Sequence, residues 1–327
     1  MATLIDTLTH AEFRPLPLGD GARKAGIEIE FGGLEEEKAA ALIAETVGGR
    51  IVKKGDHEFR IENTDIGMVK VVLDTAFRAR HPSPMKAALL DLSRVVVPVE
   101  IVTEPLDLGR LPIVDRLRAT LRAAGATGSR SGLFLGFGVH LNIDVPGEDA
   151  DDIIPTVTAF AFAEDWLRRE TPIDTTRRFL PFVDPYPRRF VDRLAQEGPG
   201  WSTADLTRVY LEETPSRNRG LDLLPLLRHI DEPTVVEALG DMASPVHARP
   251  AWHYRVPDSR IDETAWSLAY EWNRWRVVEC IAANRPLLER LRADWMMHRD
   301  SPTSTTGDWR RHLEDVLTTT PDIFEAA

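Results

Sequence analysis

The segment GIEIEF, from Gly26 to Phe31, sets two carboxylates two residues apart among apolar side chains. In a strand, successive side chains point to opposite faces. Ile27, Ile29 and Phe31 would then enter a core, while Glu28 and Glu30 would share the other face about 7 Å apart. Two like charges at that spacing repel unless a cation or solvent compensates them. Taken alone, a solvated sheet face accounts for the pattern. It recurs, however. In VEIVTEP, Glu100 and Glu104 alternate with Val99, Ile101 and Thr103; in VHLNIDV, His140, Asn142 and Asp144 alternate with Val139, Leu141 and Ile143; in WHYRV, His253 and Arg255 alternate with Trp252, Tyr254 and Val256. If these segments join one sheet, one face gathers Glu28, Glu30, Glu100, Glu104, His140, Asn142, His253 and Arg255. Four carboxylates, two imidazoles and a guanidinium make a poor structural surface. They make a good divalent-metal site, since carboxylate oxygen with imidazole suits Mg²⁺ or Mn²⁺. A merely solvated face more usually mixes Lys, Thr and Ser with both signs of charge.

The elements that would position these residues can be read in order. Residues 1–25, with Pro15, Pro17 and Gly19, form an irregular lead-in. After the first strand, LEEEKAAALIAETVGG has acidic residues in its first turn and a Gly-Gly stop, the marks of a helix. GRIVKK, HEFRIEN and GMVKVVLDTAF, separated by GD and NTDIG, read as a β-meander. SPMKAALLDLSRVVV opens on Ser83 as cap and Pro84 as first helical residue, and runs into the VEIVTEP strand. LPIVDRLRATLRAAG is an amphipathic helix from Pro112 to Gly125. Beyond VHLNIDV lies a helical insertion at about 150–245, interrupted by an arginine- and proline-rich connector, TTRRFLPFVDPYPRRF, whose Arg188 and Arg189 read as solvated. AWHYRV precedes a long helix, DETAWSLAYEWNRWRVVECIAANR, extended or followed through RADWMMH, and DWRRHLEDVL closes the chain. Trp266, Trp272 and Trp275 read as packing anchors. Strands and helices in mixed order with an early meander predict an α+β fold around a largely antiparallel sheet, polar on one face and helix-covered on the other. The expected division is a single domain over 26–300, carrying the insertion, and a tail helix over 301–327.

Composition bounds the partners. The chain has 327 residues, 43% hydrophobic and 28% charged, with a net charge of −12. That supplies a sizeable core and argues against nucleic-acid binding through a basic surface. One cysteine, Cys280, leaves no intrachain disulfide framework and no cysteine-rich zinc site. The start of the chain does not read as a signal peptide, and no apolar run is long enough for a membrane helix. The expectation is a cytoplasmic protein with no membrane partner. The tryptophan-bearing C-terminal helices leave a homo-oligomer open, because buried and intersubunit faces look alike in one sequence.

The order of the motifs is similar to that of a known family. An E-x-E strand near the N-terminus, a strand ending in aspartate, a V-E-[IL]-V-T-x-P strand, an H-x-N strand and a late strand ending in arginine before a long helix resemble the amidoligase family. This family lies within the glutamine synthetase and glutamate–cysteine ligase superfamily of carboxylate–amine ligases. The resemblance spans Gly26 to Asp262. It implies a glutamine synthetase-like antiparallel sheet forming an open half-barrel, whose concave face binds ATP and Mg²⁺ (or Mn²⁺). Glu28, Glu30 and Glu100 would be metal ligands, joined by His140 and His253. His140, Asn142, Arg255 and Arg260 would meet the nucleotide. Asp74 would position substrate or metal, and Arg255 would contact the transferring phosphate. Arg177, Arg178, Asn218 and Arg219 fall where such proteins place substrate contacts. Two positions depart from the pattern. His253 stands where the family's late strand carries glutamate, so a ligand is kept but a negative charge is lost. Glu104 stands where a neutral residue is usual.

The activity implied is ATP-dependent joining of a small-molecule or peptide carboxylate to an amine through an acyl phosphate. Phosphoryl transfer asks for cations and in-line positioning, which would explain carboxylates crowding one face to hold those cations. No G-x-x-x-x-G-K-[ST] loop is present. Two alternatives share the same polar face: a metal-dependent hydrolase with water as nucleophile, and a non-catalytic binding protein that keeps the ligase fold.

Overall fold

The computed structural model describes residues 12–19, 21–73, 97–129, 136–170 and 183–320. Its strands are β1 (Ala25–Phe31), β2 (Arg50–Gly55), β3 (Glu58–Thr64), β4 (Gly67–Leu73), β5 (Val99–Thr103), β6 (Val139–Asp144), β7 (Leu221–Asp222) and β8 (Ala251–Tyr254). They form one open sheet in the order β2-β3-β4-β5-β1-β6-β8-β7, and every pairing is antiparallel. The GIEIEF strand is central, between β5 and β6. At one edge β2 carries Lys53 and Lys54 and is largely exposed, a charged edge that discourages pairing with another chain.

Alternation sorts the faces as expected. Ile27, Ile29, Phe31, Val69, Val71, Ile101, Val139, Leu141, Ile143, Trp252 and Tyr254 are all buried in one core. Ten helices accompany the sheet among the described residues: α1 (Glu36–Val47), α2 (Leu111–Ala123), α3 (Ala150–Glu170), α4 (Arg188–Gln196), α5 (Thr203–Glu213), α6 (Leu224–Ile230), α7 (Glu232–Leu239), α8 (Leu268–Ala283), α9 (Arg285–Asp300) and α10 (Thr306–Thr319). Helix α1 lies on β3 and β4, and α8 runs between α2 and α3. Under β8, the Trp275 ring of α8 sits 5.2 Å from Tyr254 and 6.1 Å from Trp252, so the strand carrying His253 rests on an aromatic floor. The tail helix shares this core: Trp309 Nε1 donates to the Phe162 carbonyl of α3 at 2.9 Å. Trp266, Trp272 and Trp275 are buried anchors.

Two sequence expectations need correction. The long helix starts at Leu268 rather than Asp262, because Ser267 Oγ caps it by accepting from the Tyr270 amide at 3.2 Å; the acidic DE pair upstream, which mimics a first turn, lies in turns. Arg189 is solvated as expected and Arg188 partly so, but neither lies in a connector. They open α4, whose Phe190, Val191 and Leu194 are buried, and they pair with Asp165 at 2.7 Å and Glu213 at 3.0 Å. The expected helix at 83–97, but for Val97, and the whole of the TTRRFLPF segment lie outside the described residues.

No helix is long and apolar enough to cross a membrane among the described residues. Helix α8 is buried on every side, including Glu271, Arg274 and Glu279. Its charges are therefore paired internally: Glu271 accepts from Trp266 Nε1 at 2.9 Å and from Arg274 at 2.7 Å.

Candidate active site

Register places the candidate side chains on one face. Glu28 of β1 lies opposite His140 of β6, and Asn142 of β6 lies opposite His253 of β8. Residues directly opposite in an antiparallel pair share a face. Three adjacent strands thus deliver a chain of hydrogen bonds. His140 Nδ1 lies 2.7 Å from Glu28 Oε2, Asn142 Nδ2 donates to Glu28 Oε1 at 2.8 Å, and His253 Nδ1 lies 2.6 Å from Asn142 Oδ1. Arg249 NH1 donates to the same Asn142 oxygen at 3.0 Å. The imidazole centroids are 5.2 Å apart.

The protonation pattern follows from the partners. A guanidinium only donates, so the Asn142 atom facing Arg249 is the carbonyl oxygen, and His253 Nδ1 must carry a hydrogen to reach it. In a neutral ring that leaves Nε2 with its lone pair. Burial holds His253 well below its ordinary value; Glu28 opposes this, while His140, Arg255 and Arg249 reinforce it. His253 is therefore neutral and ligand-competent at Nε2. For Glu28, burial alone would raise the pKa, but the hydrogen bond and charge of His140 and the Asn142 amide hold the carboxyl well below the usual range. An ionised Glu28 then engages His140 through Nδ1, so that Nε2 is the ring atom left to meet a ligand. Ligand atoms of Glu28, His140 and His253 lie within 4.8 Å of one another, close enough to share one cation. The arrangement, with each imidazole oriented through Nδ1 by a carboxylate or amide, is that of histidines prepared to bind metal.

Glu30 stands one step along the same face, opposite Glu100 across the β1–β5 pair. Its Oε2 accepts from the Gly138 amide at 2.7 Å. Glu104 does not join the group. It lies just beyond β5, is exposed, and accepts from the Met68 amide at 3.0 Å. Arg255 is buried at the end of β8 and donates to the Arg217 carbonyl. Arg260 pairs with Glu263 in the turn that follows. Asn218 and Arg219 tie loops together: the Asn218 carbonyl accepts from the Asp184 amide at 2.7 Å, and Arg219 donates to Thr214 Oγ1 at 2.6 Å and to the Pro185 carbonyl at 2.8 Å. Asp74, Arg177 and Arg178 lie outside the described residues.

Three residues of this face went unread in the sequence. Asp222 of β7 lies opposite His253 and is fully buried. Burial, opposed by the charges of Arg255, Arg217 and Arg249, pushes its carboxyl up to about 6. Arg217 reaches to 3.7 Å from it. Arg249, which also lies 3.9 Å from Glu28, shares the parity of His253 and Arg255. Extending the alternation backward through Pro250 would have found it. Asp222 belongs to a two-residue strand, too short to show any period. On the other side, Lys70 and Arg60 lie opposite each other across the β3–β4 pair, and Lys70 faces Val102 on β5. The polar face is thus acidic in the middle, with Arg249, Arg217 and Arg255 on one flank and Lys70 and a Glu58-paired Arg60 on the other.

A family model described as "Putative amidoligase enzyme" matches residues 21–277. No curated protein and no solved structure matches the chain. The matched span runs from before β1 into α8 and takes in every strand of the sheet. By this match the chain belongs to the amidoligase family.

Proposed function

We propose that the chain joins a carboxylate to an amine at the expense of ATP on the polar face of the sheet. The observation that carries this reading is the linked set Glu28, His140, Asn142 and His253, with Arg249, Arg217 and Arg255 on one flank and Lys70 and Arg60 on the other. A substrate carboxylate oxygen attacks the γ-phosphorus of ATP and ADP leaves. The amine nitrogen then attacks the acyl carbon, inorganic phosphate leaves, and the nitrogen gives up a proton.

A divalent cation would be held by Nε2 of His140, Nε2 of His253 and Glu28, and would neutralise charge on the phosphoryl oxygens. The donor set fits such an ion, because both imidazoles are held through Nδ1 and turn Nε2 to the ligand. The pair Glu30 and Glu100 offers oxygen ligands for a second ion. Arginines in a partly buried setting stabilise the developing negative charge without reorganising. His253 in place of a carboxylate makes the first site less negative and shifts its preference toward Mn²⁺, since imidazole suits that ion better than Mg²⁺.

Calorimetric titration with ATP, with and without Mn²⁺ or Mg²⁺, tests the reading. Metal-dependent binding that disappears in both Glu28→Gln and Glu100→Gln, each checked for folding, is the expected result. A folded wild type that binds no nucleotide would mean that the fold persists without the ligase activity.

A further inference from the structure

Away from the sheet's polar face, helices α3 and α9 and the turn at 198–200 enclose a polar cavity of about 120 Å³. Asp151, Trp201, Arg285, Leu288, Glu289 and Arg292 line it. Arg292 is 5% exposed, and its Nε and NH1 have no hydrogen-bond partner. The carboxylate that approaches it, Glu289, is 3.7 Å from Nε, beyond hydrogen-bond reach, and is mostly exposed. A second cation, Arg285, is close enough for its charge to be felt by Arg292, although it donates to the Asp151 carbonyl at 2.8 Å. A buried guanidinium with unmet donors beside another arginine is costly. The cavity has room for several waters, and so for a small oxyanion.

We infer that this cavity binds a small oxyanion of the phosphate class, held by Arg292 at its floor and Arg285 at its mouth. The exposed carboxylates of Asp151 and Glu289 can turn outward as the anion enters. Guanidinium is the side chain best suited to such oxygens, offering several donors in a fixed plane. This site is independent of the one on the sheet.

The test uses the full-length protein and inorganic phosphate against chloride at equal ionic strength, read by calorimetry and by thermal unfolding. Wild type and Arg249→Met should bind phosphate and be stabilised by it, and sulfate should compete. Arg292→Met should lose both effects and melt higher than wild type in phosphate-free buffer, its buried unpaired charge being gone. Arg285→Met alters an exposed side chain and should weaken binding about tenfold. A wild type that responds to phosphate no more than to chloride, or a response that survives Arg292→Met, overturns the inference. If Arg292→Met does not fold, an unchanged affinity in Arg285→Met overturns it equally.

Discussion

Asn142 holds His253 in one tautomer: its Oδ1 lies 2.6 Å from His253 Nδ1 while its amide donates to Glu28 Oε1 at 2.8 Å. The side chain therefore relays orientation between a carboxylate and an imidazole that do not themselves hydrogen-bond. Replacing Asn142 with Asp keeps the shape but removes the donor, so two carboxylates would face each other at hydrogen-bond distance. Asn142→Asp should lower metal affinity about 10- to 100-fold, the usual effect of losing a group that orients a ligand. Calorimetric titration with Mn²⁺ checks this, with Asn142→Gln as a control for shape.

The second ligand histidine predicts an ion preference. Mg²⁺ asks for oxygen ligands, while imidazole with carboxylate suits Mn²⁺. ATP binding by the wild type should be tighter with Mn²⁺ than with Mg²⁺. His253→Glu, which restores the carboxylate that the family pattern carries, should move the preference back toward Mg²⁺. The readout is the ratio of ATP affinities in the two ions for each protein. A ratio that does not change on substitution would remove His253 from the metal's surroundings.

Asp222 gives a pH signature. Its folded-state carboxyl is pushed from an ordinary 3.8 up to about 6, mainly by burial. A carboxyl raised in this way favours folding fully at pH below its unfolded value, and the contribution is lost as pH rises through about 6. Above that, the buried charge costs at most about 3 kcal/mol. Asp222→Asn keeps a group that can accept from the Leu224 amide, as Asp222 Oδ1 does at 3.0 Å, and removes the charge. Relative to wild type, the variant should gain stability between pH 5 and pH 8. Urea unfolding at both pH values measures the gain; equal differences at the two would show that Asp222 titrates normally.

The sheet was readable because its strands are long enough to alternate. GIEIEF, VEIVT and VHLNID are five or six residues long, and side by side they put Glu28, Glu30, Glu100, His140 and Asn142 on one face, as the alternation implied. That Glu28, His140, Asn142 and His253 share a face follows from that parity; which residue stands opposite which is set by the register. What the sequence hid had physical causes. Arg249 sits behind Pro250, which reads as a strand stop. Asp222 lies in a strand of two residues. Helix α4 begins with two arginines whose charges mask four buried positions further on. Helix α8 has no polar face to read, because its ionic groups are satisfied inside the fold, Glu271 by Arg274 of the same helix and Glu279 by Arg23 far away in the chain.

One such partner shows that the lead-in is not a passive tail. Arg23 forms two hydrogen bonds of 2.8 Å to the carboxylate of Glu279 and donates from Nε to the Asp144 carbonyl of β6 at 2.7 Å. Glu279 is fully buried and also accepts from Trp275 Nε1 at 2.8 Å. Nearby, the Arg14 and Pro15 carbonyls accept from Trp272 and Arg276 of α8. The segment before β1 thus supplies the charge that lets α8 lie buried beneath the site strands. Arg23→Met strands a carboxylate in the core and should cost about 3–5 kcal/mol, as breaking one side of a buried ion pair does. Glu279→Gln added to Arg23→Met removes the stranded charge and should recover a substantial part of that loss, giving a coupling energy well above the additive expectation. Urea denaturation of the wild type, both single variants and the double variant closes the cycle. Additive losses would mean that Arg23 acts through Asp144 and the strand rather than through Glu279, and that α8 tolerates its buried charge by other means.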